Sequence, residues 1–197
     1  MSALVLASRN PHKLRELREA LPGVEIEQLS DEIQLPPEAG ETFAENALAK
    51  ARAAQRATGS TAIADDSGIV AYALGGRPGV RSARYAGENA TDDENLNKLL
   101  DEIGERQDRR VAYVCAIALV TADGEESLFE GRCEGTLTDQ PRGRGGFGYD
   151  PAFIPFDTGP DDRRTMAELT PAEKNAISHR GRAARKLAEH LGAEVGG

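Results

Sequence analysis

The sequence has few cysteines, no tryptophan and no long apolar run. Only Cys115 and Cys133 are present among 197 residues, which is too few for a disulfide framework, so we expect two reduced thiols and a cytoplasmic location. No apolar stretch approaches the length of a membrane span. The opening segment MSALVLASRN lacks a basic leader, and its apolar part is only as long as a strand, so we do not expect a signal peptide.

The sequence also lacks an excess of basic residues. Its formal net charge of -9 argues against general binding to nucleic acid or to anionic membranes, since both require a basic face. There is no HExxH motif and no Cys/His set at zinc spacing, so a dedicated zinc site is not expected. The length suits one domain over residues 1–197.

The pattern of apolar and polar residues predicts an α/β protein with a central mixed sheet. Thr42 and Glu45 have the spacing of a capping box, and Gly59 is placed to end that helix. The Asp-Gly turn in ADGE lies between two long β runs and predicts a hairpin. The predicted elements are strands over 3–7 and 24–29, a helix over 12–21, a loop over 30–41, a helix between residues 42 and 59, a strand over 61–74 broken at 65–68, a loop over 75–91, a helix from 91 to 103, hairpin strands over 110–121 and 125–138, a long irregular loop over 138–165, and one helix from 171 to 191.

The segment ADDSG places two adjacent carboxylates in an apolar strand. Asp65 and Asp66 point to opposite faces of an extended chain, so we expect at most one of them to enter a given cleft. A buried carboxylate must be paired, hydrogen-bonded or bound to a metal. The segment alone leaves two alternatives open, a turn in which Asp and Ser cap backbone groups and a metal site.

Three other polar segments could carry chemistry. In RGRGGFGYDPAF, residues 142–153, the glycines would let the backbone approach a ligand and the aromatics could stack on a base, although Phe147 could equally fill the core. In EKNAISHRG, residues 173–181, three cations cluster near a predicted helix start, where they oppose the helix dipole and favour an anionic partner. The arginines of GGRPGVRSARYAG, residues 75–87, could bind phosphate or pair with acidic residues.

In combination, these segments resemble the inosine triphosphatase family, the pyrophosphatases of deaminated purine nucleoside triphosphates. The segments that carry the resemblance are SRNPHKLREL, FAENALAKA, ADDSG, LGGRPGVRSARYAG, GGFGYDPAF and ELTPAEKNAISHRG. They run from residue 8 to residue 181. One departure is visible, because the first family motif commonly reads Thr-Gly-Asn and is Ser8-Arg9-Asn10 here. Arg9 lacks the backbone freedom of glycine and could add a charge instead.

The resemblance implies a long, curved central mixed sheet flanked by helices, two lobes with an active-site cleft between them, and a homodimer. It implies Mg²⁺-dependent hydrolysis of ITP, dITP and XTP to the monophosphate and pyrophosphate. Glu38 and Asp66 would bind the metal, Asp66 would activate the attacking water, and Phe147 would stack on the base. The other implied substrate contacts, the first six of them in the polar joint that would grip the triphosphate, are Ser8, Arg9, Asn10, Pro11, His12, Lys13, Ser67, Gly148, Tyr149, Asp150, Lys174, His179 and Arg180.

Two other functions are compatible with parts of the sequence. A Maf-like nucleotide pyrophosphatase, acting on pyrimidine or modified nucleotides, would share the architecture, but GGFGYDP and SHRG argue against it. A catalytically inactive nucleotide sensor or a single-strand RNA binder is the alternative from another class. The set of Lys13, Glu38 and Asp66 and the net charge of -9 both count against that alternative.

Overall fold

The computed structural model describes residues 3–192, so Met1 and Ser2 of the N-terminal prediction lie outside the described residues. Its strands are β1 (Leu4–Leu6), β2 (Ile26–Gln28), β3 (Ala62–Ala71), β4 (Arg110–Val120), β5 (Glu126–Leu137) and β6 (Phe153–Pro155). Its helices are α1 (Pro11–Ala20), α2 (Phe43–Thr58), α3 (Asp92–Ile103), α4 (Pro171–Ile177) and α5 (His179–Leu191). None of the helices within residues 3–192 is long and apolar enough to cross a membrane.

The described strands form a six-stranded sheet in the order β2-β1-β3-β4-β5-β6. Strand β1 pairs in parallel with both β2 and β3, whereas β5 and β6 are antiparallel. The sheet is therefore mixed, and the predicted α/β class is confirmed. Helices α1 and α2 connect the parallel strands, as parallel pairing requires a long crossover.

The chain divides into two compact units. The first contains the described residues through Asp66, Cys115–Gly131 and the described residues from His179 onwards. The second contains Ser67–Val114 and Arg132–Ser178. The single domain and the cleft expected from the sequence stay predictions.

The core of the first unit lies on the two faces of its strands. On one face, Ile63 belongs to a buried cluster with residues of α1 and α5. On the other face, Ala64 belongs to a cluster with the buried alanines of α2. Because successive strand residues alternate between faces, Asp65 follows Ile63 toward α1 and α5, and Asp66 follows Ala64 toward α2. The alternation predicted for the two carboxylates is confirmed.

The core of the second unit is a separate apolar cluster. It joins residues of α3 to strand residues and to the segment after β6, and its fully buried members include Ile69, Leu99, Ile103, Val111, Phe153 and Met166. Ser82 ties the loop after β3 to that strand, because its Oγ accepts the backbone N–H of Ile69 at 2.9 Å. Tyr149 and Phe153 of the glycine-aromatic loop belong to this cluster, so the core positions that loop.

The predicted helix caps are confirmed. Thr42 and Glu45 form a capping box at the start of α2, and Gly59 ends that helix with a left-handed φ of 68°. Thr91 and Thr170 cap α3 and α4 through the same reciprocal pattern. The ends of α2 depend on residues close in sequence, so local reasoning predicted them correctly.

Four predictions were wrong. Strand β3 is continuous through residues 65–68, because both carboxylates find partners on distant helices instead of forming a turn. The loop over 75–91 contains a 3₁₀ segment, Gly79–Arg84. The segment 138–165 contains β6, which pairs with β5. The last helix is two helices, because Ser178 has extended angles of φ -64° and ψ 150°.

Candidate active site

The joint between β1 and α1 is shaped by its own polar side chains. Asn10 is the N-cap of α1, and its Oδ1 accepts the backbone N–H groups of His12 at 2.9 Å and Lys13 at 3.4 Å. Ser8 Oγ accepts the N–H of Asn10 at 3.3 Å. The first turn of α1 contributes no acidic residue of its own to the positive end of the helix dipole. This end of α1 is electrostatically suited to an anion.

The other members of this joint have contacts within the protein. The Arg9 guanidinium donates to the carbonyls of Asp31 at 3.1 Å and Ile33 at 2.6 Å, in the loop after β2. Pro11 is the first residue of α1, and His12 Nδ1 lies 3.4 Å from a guanidinium nitrogen of Arg15. The substrate contacts assigned to Arg9, Pro11 and His12 stay predictions.

Lys13 reaches Asp65 within β3. Lys13 Nζ lies 3.1 Å from Asp65 Oδ2, and Arg180 Nε lies 3.1 Å from the same oxygen. Asp65 is fully buried at 0% exposure. Burial by itself raises the pKa of Asp65, but the charges of Lys13 and Arg180 outweigh it and hold the pKa below its ordinary range. Asp65 is therefore an ionised carboxylate that fixes Lys13.

Arg180 bridges α5 to both α1 and β3. Its guanidinium donates to Glu16 of α1 as well as to Asp65, and the residue is fully buried. The resemblance assigns Arg180 to the purine edge or the phosphates, whereas the structure places its guanidinium in a buried ion-pair network. His179, at the start of α5, is also buried. Substrate contacts by His179 and Arg180 stay predictions.

Asp66 lies on the other face of β3, against α2. Asn46 Nδ2 donates to Asp66 Oδ2 at 2.9 Å. Lys50 Nζ lies 3.8 Å from Asp66 Oδ1 and 2.8 Å from Glu38 Oε1. The structure thus brings Glu38 and Asp66, the two predicted metal ligands, to one buried ammonium group.

The charges of this group are strongly coupled. Burial raises the pKa of Asp66, Lys50 opposes that rise, and the negative charge of Glu38 adds to it, so the net pKa is raised. Burial lowers the pKa of Lys50, but the charges of Asp66, Asp65 and Glu38 outweigh it, so that pKa is raised too. Asp66 is consequently a stronger base than an ordinary aspartate, and Lys50 remains positively charged at neutral pH.

Glu38 and Asp66 could together hold a divalent metal. Their carboxylates already converge on a cation, the Lys50 ammonium, and Mg²⁺ prefers oxygen ligands, usually one or two carboxylates plus substrate phosphates. Across residues 3–192, no group of three or more His, Cys, Asp or Glu side chains could hold a metal ion. Two carboxylates fit Mg²⁺ only if substrate and water would supply its remaining ligands.

In the second unit, the glycine-aromatic loop is organised around Asp150. Asp150 Oδ2 accepts from Lys174 Nζ at 2.7 Å and from the backbone N–H of Phe147 at 3.0 Å. Asp150 Oδ1 accepts the hydroxyl of Tyr113 at 3.0 Å. Lys174 Nζ also lies over the Phe147 ring, 5.2 Å from its centre. The structure therefore brings three predicted substrate residues, Phe147, Asp150 and Lys174, into one cluster.

The neighbouring loop residues are fixed by separate contacts. Tyr149 donates its hydroxyl to the carbonyl of Ser82 at 2.7 Å, and burial raises the pKa of Tyr149, so this hydroxyl stays a donor. Gly148 donates its N–H to Asp92 at 2.8 Å. Ser67 lies on β3 directly after Asp66 and is half-buried. The substrate roles of Ser67, Gly148 and Tyr149 stay predictions.

The position of Lys174 corrects one argument from the sequence. Lys174 lies in the last turn of α4, whereas His179 and Arg180 begin α5. A cation at the C-terminal end of a helix is favourably placed, so Lys174 does not oppose the helix dipole as predicted. The ion pair with Asp150 explains its burial.

Four site residues were not identified from the sequence. Asn46 and Lys50 are one turn apart on the buried alanine face of α2. Polar residues on an otherwise apolar helix face were the sequence signal that could have identified them as site residues. Glu16 is three residues after Lys13 on α1, so it shares a helix face with a predicted site residue. Tyr113 occupies an apolar strand and carried no distinguishing signal.

Comparison with known proteins gives consistent matches over the whole chain. The profile of the Ham1 family matches residues 4–190. A protein of Geobacter sulfurreducens named dITP/XTP pyrophosphatase is 49% identical over 198 residues, covering 98% of each chain. A protein of the same name from Geobacillus kaustophilus is 47% identical and covers 100% of this chain and 98% of its own. The solved structure of a HAM1 protein from Coxiella burnetii has a TM-score of 0.87 at 43% identity, covering 98% of this chain and 99% of that one.

Proposed function

The chain belongs to the Ham1 family, and from this we propose that it hydrolyses ITP, dITP and XTP to the monophosphate and pyrophosphate. Relatives named dITP/XTP pyrophosphatase align with nearly its full length. The single observation that carries the proposal is the convergence of Glu38, Lys50 and Asp66. A buried base and a metal-type donor set, beside a fixed lysine on α1, suit phosphoryl chemistry.

In the proposed reaction, Asp66 is the general base. It accepts a proton from the water whose oxygen attacks the α-phosphorus. The new bond forms between the water oxygen and the α-phosphorus, the bond from that phosphorus to the bridging oxygen breaks, and pyrophosphate leaves with the bridging oxygen. Asn46 orients the carboxylate through its hydrogen bond to Oδ2.

Lys13 and the donors near it are proposed to hold the triphosphate. Lys13 is anchored by Asp65 and is its most exposed ion-pair partner, at 14% side-chain exposure against 2% for Arg180. Ser8 and the amino end of α1 add donors for phosphate oxygens. Glu38 and Asp66 would hold Mg²⁺, which supplies neutralisation of the charge that develops on the phosphate oxygens. Much of the rate enhancement comes from positioning and charge stabilisation.

Phe147 and Lys174 are the proposed contacts to the base. Phe147 offers a ring for stacking, and Lys174 places a hydrogen-bond donor above that ring. The 6-keto group of hypoxanthine or xanthine accepts hydrogen bonds, whereas the 6-amino group of adenine presents donors to a donor. A deaminated purine is therefore favoured.

We also propose that the protein is a cytoplasmic homodimer.

Product analysis tests this function. ITP is incubated with the protein and Mg²⁺, and the nucleotide and phosphate products are separated. We expect equal amounts of IMP and pyrophosphate, loss of activity with a chelator, and recovery when Mg²⁺ is returned. Release of orthophosphate with IDP, or full activity in the chelator, would contradict the proposed reaction.

A further inference from the structure

We propose that Tyr113 is a positioning residue for base recognition, acting through Asp150 on Lys174 and Phe147. The inference rests on the proposed function and deepens it. Tyr113 lies in β4, outside every segment that carried the family resemblance. Its hydroxyl is hydrogen-bonded to the carboxylate that organises the glycine-aromatic loop.

The Tyr113 hydroxyl has one well-defined position. Its ring is buried and packs against Phe153, with ring centres 4.6 Å apart and planes tilted by 33°. The hydroxyl donates to Asp150 Oδ1 at 3.0 Å. Packing fixes the ring, so the hydroxyl selects one orientation of the carboxylate.

The two carboxylate oxygens of Asp150 accept hydrogen bonds from different donors. Oδ1 accepts from Tyr113, and Oδ2 accepts from Lys174 Nζ at 2.7 Å and from the Phe147 N–H at 3.0 Å. A carboxylate is planar, so holding Oδ1 also sets the direction of Oδ2. Tyr113 thereby determines where the Lys174 ammonium is held relative to the Phe147 ring.

The loop leaves Asp150 little room for another orientation. A Cβ added at Gly146 would lie 1.9 Å from Asp150 Oδ2 and 3.1 Å from Lys174 Nζ. The loop backbone therefore passes directly against the ion pair, and Gly146 has a φ of 72° that glycine adopts readily. Without the Tyr113 hydroxyl, Asp150 Oδ1 loses its hydrogen-bond donor and competes with Oδ2 for the Lys174 ammonium. This competition moves the ammonium from its position over the Phe147 ring.

The test is Tyr113→Phe, which keeps the ring and removes only the hydroxyl. We expect KM for ITP to rise by about 10-fold, the effect of one hydrogen bond to a charged group, with kcat changed by less than about 3-fold. The inhibition constant of inorganic tripolyphosphate, which has no base, should stay unchanged. Tyr72→Phe is the matched control, because the Tyr72 hydroxyl is exposed and contacts Glu134 and Arg132 at the surface.

A second variant separates positioning from a structural role. Lys174→Gln keeps a donor for Asp150 but loses the charge over Phe147. If Tyr113 acts through Lys174, Tyr113→Phe should raise KM for ITP far less in the Lys174→Gln protein than in the wild type. If Tyr113→Phe raised KM for ITP by the same factor in the wild-type and the Lys174→Gln protein, the inference would be overturned.

Two further results would overturn it as well. One is a wild-type KM for ITP in a folded Tyr113→Phe protein, and the other is an equal loss of affinity for tripolyphosphate. These outcomes differ from failure of the proposed function, which would appear as a wild-type protein that does not release pyrophosphate from ITP.

Discussion

Replacing Asp65 with asparagine should destabilise the protein strongly. Asp65 is fully buried, and its Oδ2 lies 3.1 Å from both Lys13 Nζ and Arg180 Nε. Asparagine has almost the same shape, so Asp65→Asn leaves the packing of β3 intact and removes one negative charge. The change isolates the electrostatic contribution of this carboxylate.

The contacts set the size of the expected effect. Removing one partner of a buried ion pair costs about 3–5 kcal/mol, because the opposite charge stays buried without compensation. Arg180 keeps its bond to Glu16, and the asparagine oxygen can still accept one hydrogen bond. We therefore expect the lower end, about 3 kcal/mol of unfolding free energy at pH 7.

Urea denaturation of both proteins at several pH values is the assay. The pKa of Asp65 is depressed in the folded state, so its contribution is present above the unfolded pKa of about 4 and is lost as pH falls toward the folded pKa. The difference between wild type and Asp65→Asn should be constant from neutral pH to about pH 5 and shrink below about pH 4. A difference under about 1 kcal/mol at pH 7, or one that grows on acidification, would refute the assigned network.

Three further predictions concern neighbouring residues. Asp66→Asn should lower kcat for ITP by roughly 10²–10⁴-fold. It should cost little stability, because burial raises the pKa of Asp66 and the charged carboxylate therefore does not stabilise the fold. A folded variant with near wild-type turnover would contradict the assignment of Asp66 as the base. Lys50→Met should lower kcat/KM for ITP by at least about 10-fold, since the buried ammonium neutralises both Asp66 and Glu38. Lys50→Arg keeps the charge and should recover part of the loss. Equal activity of the two variants would show that the positive charge is not what matters at this position. Gly68→Ala should lower the unfolding free energy in urea by about 1–3 kcal/mol, because its Cβ would lie 2.3 Å from Ser82 Oγ; wild-type stability would show that the loop can move aside.

Features that depend on neighbours in sequence were predictable. The capping box of Thr42 and Glu45 was predicted from two residues three positions apart, and the structure confirms it. The opposite directions of Asp65 and Asp66 followed from strand geometry. The βαβ order and the mixed sheet were correct because apolar periodicity marks the elements directly.

Features that depend on distant partners were not predictable in the same way. The run Asp65-Asp66-Ser67-Gly68 has the composition of a turn, but it continues β3 because Lys13 and Asn46 come from other helices to satisfy the carboxylates. The break at Ser178 carries no glycine or proline. Arg180 was assigned to substrate from its motif, and no local pattern indicated that it pairs with Glu16.

The measurement that most directly tests the central claim is the ratio of kcat/KM for ITP to that for ATP in the presence of Mg²⁺, with pyrophosphate as the detected product. A donor-rich site that accepts a 6-keto purine rejects adenine, in favourable cases by roughly 10⁴–10⁵-fold. We predict a smaller preference for ITP, of at least roughly 100-fold, because Phe147 is only half-buried. Equal specificity constants for ITP and ATP, or a product other than pyrophosphate, would contradict the proposed function.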